Sequence, residues 1–335
     1  MIAIAIGVAS AIISFAGSVV MIRAWIPVAK REGMVGKDMN KVEKNEVAEV
    51  GGFWAIISSI FAFLVFEAIY AFVYGRFYDI LEVYSITILL ILSSILGFLD
   101  DILGWKRGLP AYIRILAMAP MALPLMIIRH NAYILSLPFF GKIDLGLLYP
   151  LVIIPVGVLG ASNAFNMIAG YNGLEAGMGL VLLIFTLAFS LAKGLSFTSY
   201  ASIIMIGAII GFLLYNKYPA KVFPGNTFTY AFGAFYAGLV ILGDATKFGL
   251  TLFFLYYIEL ILFLRGILHG VYKENFASVS SDNTLEPPYS KSYSLTHLSI
   301  KIIKKVKGRA KERDVVLFLM LLQSIVGLVC LIIYL

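Results

Sequence analysis

Apolar residues in this chain gather into ten runs, near 3–24, 53–74, 82–99, 111–128, 147–165, 177–192, 199–215, 228–243, 248–267 and 315–335, with short polar stretches between them. Each run is long enough to cross about 30 Å of hydrocarbon at ~1.5 Å per residue as an α-helix, which satisfies its own backbone hydrogen bonds inside lipid. The pattern predicts an all-α polytopic membrane protein, a bundle of about ten transmembrane helices with both termini on the same side. It reads as a single integral-membrane domain over 1–335, with loops near 25–52, 100–110, 163–177, 216–227 and 268–314 on one face.

Composition agrees. With 61% hydrophobic and 13% charged residues and a mean hydropathy of +0.95, the chain carries more apolar surface than a soluble domain buries. Charge then orients it. One set of loops holds Lys30, Arg31, Lys37, Lys41, Lys44, Lys106, Arg107, Lys217, Lys221 and a cluster from Lys273 to Arg313; the other has Arg76, Arg129, Lys142, Lys193 and Lys247. By the positive-inside rule the first set is cytoplasmic and both termini lie on the non-cytoplasmic side. The net charge of +7 is therefore mostly a topology signal, with attraction to anionic headgroups and phosphates as a second use. Its spread across loops disfavours a nucleic-acid partner.

The first apolar run lacks a basic leader and a small-residue cleavage site, so it reads as a span and not a signal peptide. Cys330 has no partner cysteine, and His130, His269 and His297 are too scattered for a histidine-bound transition metal.

The unusual polar residues all fall on the basic side. Ser162 to Gly177 sets Asn163, Asn166 and Asn172 among glycines beside apolar helix, offering amide groups to a ligand where a plain span needs none. Against that stands an interfacial turn with helix caps. Asp100 and Asp101 end the third run; adjacent carboxylates repel unless a cation or hydrogen bonds hold them, and hard oxygen ligands suit Mg²⁺ with substrate phosphates. A hydrated interfacial pair is the competing reading. Asn226 and Thr227 open the eighth run after Gly225, either as ordinary N-caps or as a helix start that receives phosphate. Arg114, early in the fourth run, either snorkels to headgroups or meets a phosphate. Single acids on the other face, Asp79, Asp144 and Asp244, read as solvated turn residues.

Taken together, GKDMNK at 36–41, AEVGG at 48–52, FLDDILG at 98–104, NAFNMIAGYNGLEAG at 163–177 and VFPGNTFTYAFGAFYAGLVILG at 222–243 resemble the polyprenyl-phosphate N-acetylhexosamine-1-phosphate transferases. The AGxNGLEAG form is similar to the eukaryotic and archaeal dolichyl-phosphate branch, and the resemblance runs over essentially the whole chain. It implies a ten-helix bundle with a cytoplasmic groove and a broken or bent ninth helix. The implied reaction moves GlcNAc-1-phosphate from UDP-GlcNAc to a dolichyl or other polyprenyl phosphate, releasing UMP, in a cell or endoplasmic-reticulum membrane. The resemblance also implies a Mg²⁺ cofactor, with Mn²⁺ as a substitute, and admits a homodimer.

Carried over by motif, Asp100, Asp101 and Arg114 would be catalytic, and Asn166, Asn226 and Asp101 would hold the metal. Gly36, Lys37, Asp38, Glu49 and Asn172 would line the nucleotide-sugar site, Asn163 would border the lipid phosphate, and Arg265 and His269, with His297, would stand in for a sugar-recognition loop. Two departures are visible: Asn226 occupies a position where the family usually has aspartate, and the loop after the ninth run lacks the family's histidine and arginine motif. Two alternatives remain, the same chemistry on another UDP-N-acetylhexosamine and a membrane transporter. A transporter predicts polar groups near span centres and an internal repeat, and the sequence displays neither.

Overall fold

The computed structural model describes residues 2–103, 110–138, 140–271 and 274–335, so Lys106, Arg107 and Lys273 lie outside the described residues, as do the side chains at 111, 114 and 115. The ten apolar runs all appear as helix. In chain order these are α1 (Ile2–Arg31), α2 (Gly51–Tyr74), α3 (Ile80–Leu103), α4 (Ala111–Met121), α5 (Leu123–Ile128), α6 (Ile154–Met167, entered through a π-helical turn at Tyr149–Ile153), α7 (Leu174–Lys193), α8 (Ser196–Asn216), α9 (Gly225–Leu242), α10 (Thr246–Leu252) and α11 (Phe254–Leu268), then α12 (Leu295–Lys307) and α13 (Glu312–Tyr334). Three short antiparallel hairpins, β1–β2 (35–37 with 46–48), β3–β4 (134–137 with 141–144) and β5–β6 (278–279 with 285–286), decorate the two ends.

Among the described residues seven helices are long and apolar enough to cross a membrane, and α10 with α11, bent by 53° at their junction, makes an eighth. The expected bundle of membrane helices is present, and by length and composition alone seven or eight of the about ten expected runs qualify as spans. The run at 111–128 breaks at Ala122, between Pro120 and Pro124, where proline removes a backbone donor and crowds the preceding turn. The run at 228–243 begins with the polar turn Gly-Asn-Thr-Phe-Thr, which shortens the apolar part of an 18-residue helix. The bend within the ninth run matches what the resemblance implies. Loop bounds also tighten: α1 continues to Arg31, and α6 reaches Met167, so Asn163 and Asn166 stand on its last turns.

Helix α9 is the axis of the bundle. Every residue from Thr227 to Leu242 is buried, with α3 and α6 packed along it and α2 and α8 behind. Close approach of α3 depends on Gly97, where a Cβ would stand 2.5 Å from the backbone of Thr227. The lipid-facing surface carries exposed side chains such as Ile12, Val20 and Phe61. Some serines inside the spans bond back within their own helices, as Ser58 on Trp54 O and Ser93 on Leu89 O, and Ser18 of α1 reaches Ala208 O of α8.

The two ends of the bundle differ in chemistry. At one end, Gly7 lies against Tyr200 and the Tyr334 hydroxyl meets that of Thr251 at 2.7 Å, so both chain termini sit there. Asp79 and Asp244, expected as solvated, are paired at this end: Tyr200 donates to Asp79 at 3.1 Å and Arg129 meets Asp244 at 3.0 Å. Buried Glu67 accepts the backbone N–H groups of Tyr78 and Asp79. The other end gathers the remaining polar chemistry.

Candidate active site

A helix start exposes N–H groups that have no partner inside the helix. In α9 those of Asn226 and Thr227 are taken by Asp101 of α3, at 2.7 and 3.0 Å, and the Thr227 hydroxyl donates to the same carboxylate at 2.7 Å. The carboxylate also suits the positive end of the helix dipole. Gly225 makes room for it: its φ is +71°, and a Cβ there would lie 2.4 Å from Asp101 Oδ2. The sequence had left two roles for this helix start, capping by its own Asn226 or Thr227, or reception of a phosphate. The structure gives a third answer, a cap supplied by another helix.

With its backbone held in this way, the Asn226 side chain bridges two neighbours. Its Nδ2 donates to Asp100 Oδ2 at 2.9 Å, and its Oδ1 accepts from Asn166 Nδ2 at 2.7 Å. Asn166 also donates to Thr229 Oγ1 at 2.7 Å. Asp100, Asn226 and Asn166 thus tie α3, α9 and α6 together at one end of the bundle, with Asp100 nearly fully buried.

A second network lies beside the first, across the turn between α6 and α7. Asn172 donates through Nδ2 to Asp38 at 3.0 Å, and through its backbone N–H to Glu312 at 2.8 Å, while Lys41 pairs with Asp38. The turn itself is fastened from three directions. Asn40 donates to Gly170 O at 2.8 Å and accepts from Ala277 N at 3.0 Å; Asn275 donates to Met167 O and Ala169 O; Glu175 accepts from Gly170 N at 2.8 Å. Gly170 adopts a φ of 124°, open to glycine and strained for other residues.

The loop carrying Glu49 is anchored to the segment before α9: Phe223 N donates to Ala48 O, and Gly51 and Gly52 donate to Phe223 O and Pro224 O. Glu49 packs over Gly36, where a Cβ would lie 2.2 Å from its carboxylate. Burial, followed by the Asp101 charge, pushes its carboxyl up to about 6. Lys37 sits on β1 opposite Glu46, on an exposed strand edge. Asn163 is one turn before Asn166, donating to Leu159 O at 2.8 Å and to the Met118 sulfur at 3.3 Å. Arg265 and His269 end α11, where His269 bonds back to Arg265 O and lies beside Tyr293. Among the described residues no hydrogen bond or ion pair joins them to either network. His297 is buried on α12 against Tyr289, with Nε2 at 3.0 Å from Glu274 O. Arg114 lies on α4, and its side chain is outside the described residues.

The donor chemistry fits Mg²⁺. Asp100 brings one carboxylate, and Asn226 and Asn166, joined to it in series through their amide nitrogens, bring neutral amide oxygens. That is the profile of an ion which takes one or two carboxylates and fills its shell with water and substrate phosphates. Asp101 differs from these three, because both of its oxygens are engaged by α9.

Contributors that went unmarked as site residues in the sequence include Asn275, Glu175 and Glu312. Glu175 lay inside the asparagine motif and Glu312 heads an apolar run as a first-turn acid, whereas Asn275 had no signal in its loop.

Residues 83–244 match the model of glycosyl transferase family 4. The chain is 35% identical over 310 residues to a Saccharolobus solfataricus protein provisionally named UDP-N-acetylglucosamine–dolichyl-phosphate N-acetylglucosaminephosphotransferase, covering 91% of this chain and 89% of that one. A Sulfolobus acidocaldarius protein of the same provisional name is 32% identical, with 92% and 90% covered. The Schizosaccharomyces pombe enzyme of that name is 30% identical over 270 residues, 67% of this chain and 59% of the other.

Proposed function

The chain belongs to glycosyl transferase family 4, as a polyprenyl-phosphate N-acetylhexosamine-1-phosphate transferase of the membrane, and we propose that its substrates are UDP-GlcNAc and a dolichyl-type polyprenyl phosphate. The product would be the lipid diphosphate sugar, released with UMP, the first step of lipid-linked oligosaccharide assembly for N-glycosylation. Support comes from one observation above all: the Asp100–Asn226–Asn166 network stands at a single end of the bundle, beside the Asn172 turn, where a lipid phosphate and a soluble nucleotide can meet. The positive-inside rule puts that end in the cytoplasm, and with it both termini on the far side.

In this reading a lipid phosphate oxygen attacks the β-phosphorus of UDP-GlcNAc, and the bond from that phosphorus to the UMP oxygen breaks. A phosphate monoester with a second pKa of about 6 is mostly dianionic at neutral pH, so attack needs little help from a base. The obstacle is bringing two anions together. Mg²⁺, held by Asp100, Asn166 and Asn226, would neutralise diphosphate charge when bound. Asp101 keeps the α9 start, and with it Asn226, in register. Arg114 would meet the lipid phosphate, with Asn163 bordering it. Asp38, Asn172 and Glu49, with Gly36 and Lys37 nearby, would hold the nucleotide-sugar, and alignment of the two substrates supplies most of the acceleration.

Purified protein incubated with dolichyl phosphate and radiolabelled UDP-GlcNAc is expected to give lipid-extractable label and stoichiometric UMP. Label from UDP-GalNAc but not from UDP-GlcNAc would replace the sugar assignment. Arg114→Ala should raise KM for the lipid phosphate about tenfold or more, through loss of a charge-assisted contact, and leave that for UDP-GlcNAc nearly unchanged. An equal loss for both would make the arginine structural. Asn40→Ala should raise KM for UDP-GlcNAc about tenfold, because it frees Gly170 from the loop that holds the Asn172 turn. A purely structural role would instead lower the melting temperature and leave KM unchanged.

A further inference from the structure

Five cations on the face opposite the active site looked isolated in sequence, yet four of them converge. Arg129 after α5, Lys142 on β4, Lys193 at the end of α7 and Lys247 at the start of α10 line one cavity of about 540 Å³. The single carboxylate in its wall is Asp244, already paired with Arg129. Among the described residues no carboxylate pairs with Lys142, Lys193 or Lys247, and the Arg129 Nε is buried without a hydrogen-bond partner. Like charges gathered around a concave wall create a strong positive potential that an anion offsets.

The remaining walls are mostly apolar, with Ser136, Tyr149 and Thr246 as their polar members. Phe189 and Phe248 stack at 4.1 Å between ring centres, and Ile241 and Tyr334 line the cavity with them. The Tyr334 ring also faces Lys247 at 5.4 Å. An inorganic anion has no use for such walls, whereas an amphiphile buries its glycerol and first methylenes there. The cavity lies where α7, α9 and α13 end; the ends of apolar spans are where lipid headgroups are met.

We propose that this cavity binds the phosphate headgroup of an anionic membrane lipid on the face opposite the active site. The inference rests on the membrane-spanning fold and not on the identity of the sugar or the reaction.

The test is native mass spectrometry of the full chain in detergent, titrated with phosphatidylglycerol or with phosphatidylcholine of the same acyl chains. Each cation near a membrane surface contributes about a fivefold gain in affinity, so Lys193→Gln/Lys247→Gln together should weaken phosphatidylglycerol binding roughly 25-fold. Lys142→Gln, on an exposed hairpin, should weaken it about fivefold and serves if the double variant does not purify. Lys30→Gln/Lys305→Gln, at exposed positions elsewhere, should leave it unchanged. Equal retention of phosphatidylcholine, or equal loss in the control pair, would overturn the site. Displacement of the lipid by an equimolar amount of inorganic phosphate would overturn the lipid assignment.

Discussion

Asp101→Asn is expected to lower sugar-phosphate transfer at least about a hundredfold, although it changes only one atom of the side chain. The carboxylate accepts from two backbone N–H groups and one hydroxyl, with an oxygen facing each N–H. An amide has one oxygen, so its NH₂ must face either Asn226 N–H or Thr227 N–H, donor against donor. Losing a helix cap of this kind costs about 1–2 kcal/mol, and the melting temperature should fall with it. Activity falls further than stability because the Asn226 side chain depends on that backbone to meet Asp100 and Asn166. Thr227→Val removes one of the three bonds, spares both N–H groups and should cost less than about tenfold. Release of UMP measures both variants, with monodispersity in detergent as the check on folding. Wild-type activity in Asp101→Asn would remove the cap from the account of catalysis.

Asn226→Asp is expected to make the protein depend on Mg²⁺ for stability as well as for rate. Asn226 now donates to Asp100 at 2.9 Å; a carboxylate in its place sets two negative oxygens against each other. Without divalent ions that repulsion should lower the melting temperature, and Mg²⁺ should restore more of it than in the wild type. The added charge should also reduce the Mg²⁺ concentration needed for half-maximal rate. Asn226→Ala breaks both side-chain bonds and should lose activity about a hundredfold or more. Melting curves with and without Mg²⁺, read beside a magnesium titration of the rate, separate ligation from packing. An aspartate variant with unchanged metal dependence, together with an active alanine variant, would sink the ligand assignment.

Hydropathy located the apolar helices because, in lipid, backbone satisfaction leaves few alternatives, and it passed over the basic, amphipathic α12 inside the 268–314 loop. It misjudged which runs are whole. Pro120 and Pro124 were visible as letters, but a span that tolerates proline and one that breaks there look alike without their neighbours. Asp100, Asn166 and Asn226 were legible for a related reason: polar groups beside apolar helix are expensive and therefore conspicuous. Asp101 was seen and its geometry was not, since an adjacent pair of carboxylates does not say that one of them turns to cap a helix more than a hundred residues away. Asn275 lies in a polar loop where an asparagine is unremarkable, and only its bonds to Met167 O and Ala169 O reveal what it holds. Asp79 and Asp244 show the converse, ordinary-looking turn acids that tertiary contacts make into partners of Tyr200 and Arg129.

The bond from Asn172 N–H to Glu312 also sets an order of manufacture. Asn172 belongs to the turn before α7, whereas Glu312, 140 residues further on, is the first residue of α13. During synthesis the turn must wait for those 140 further residues before its backbone acquires that partner. The Asp100, Asn166 and Asn226 contacts need only the first nine helices. One half of the site is therefore available early, and the other half is completed only once α13 has been made.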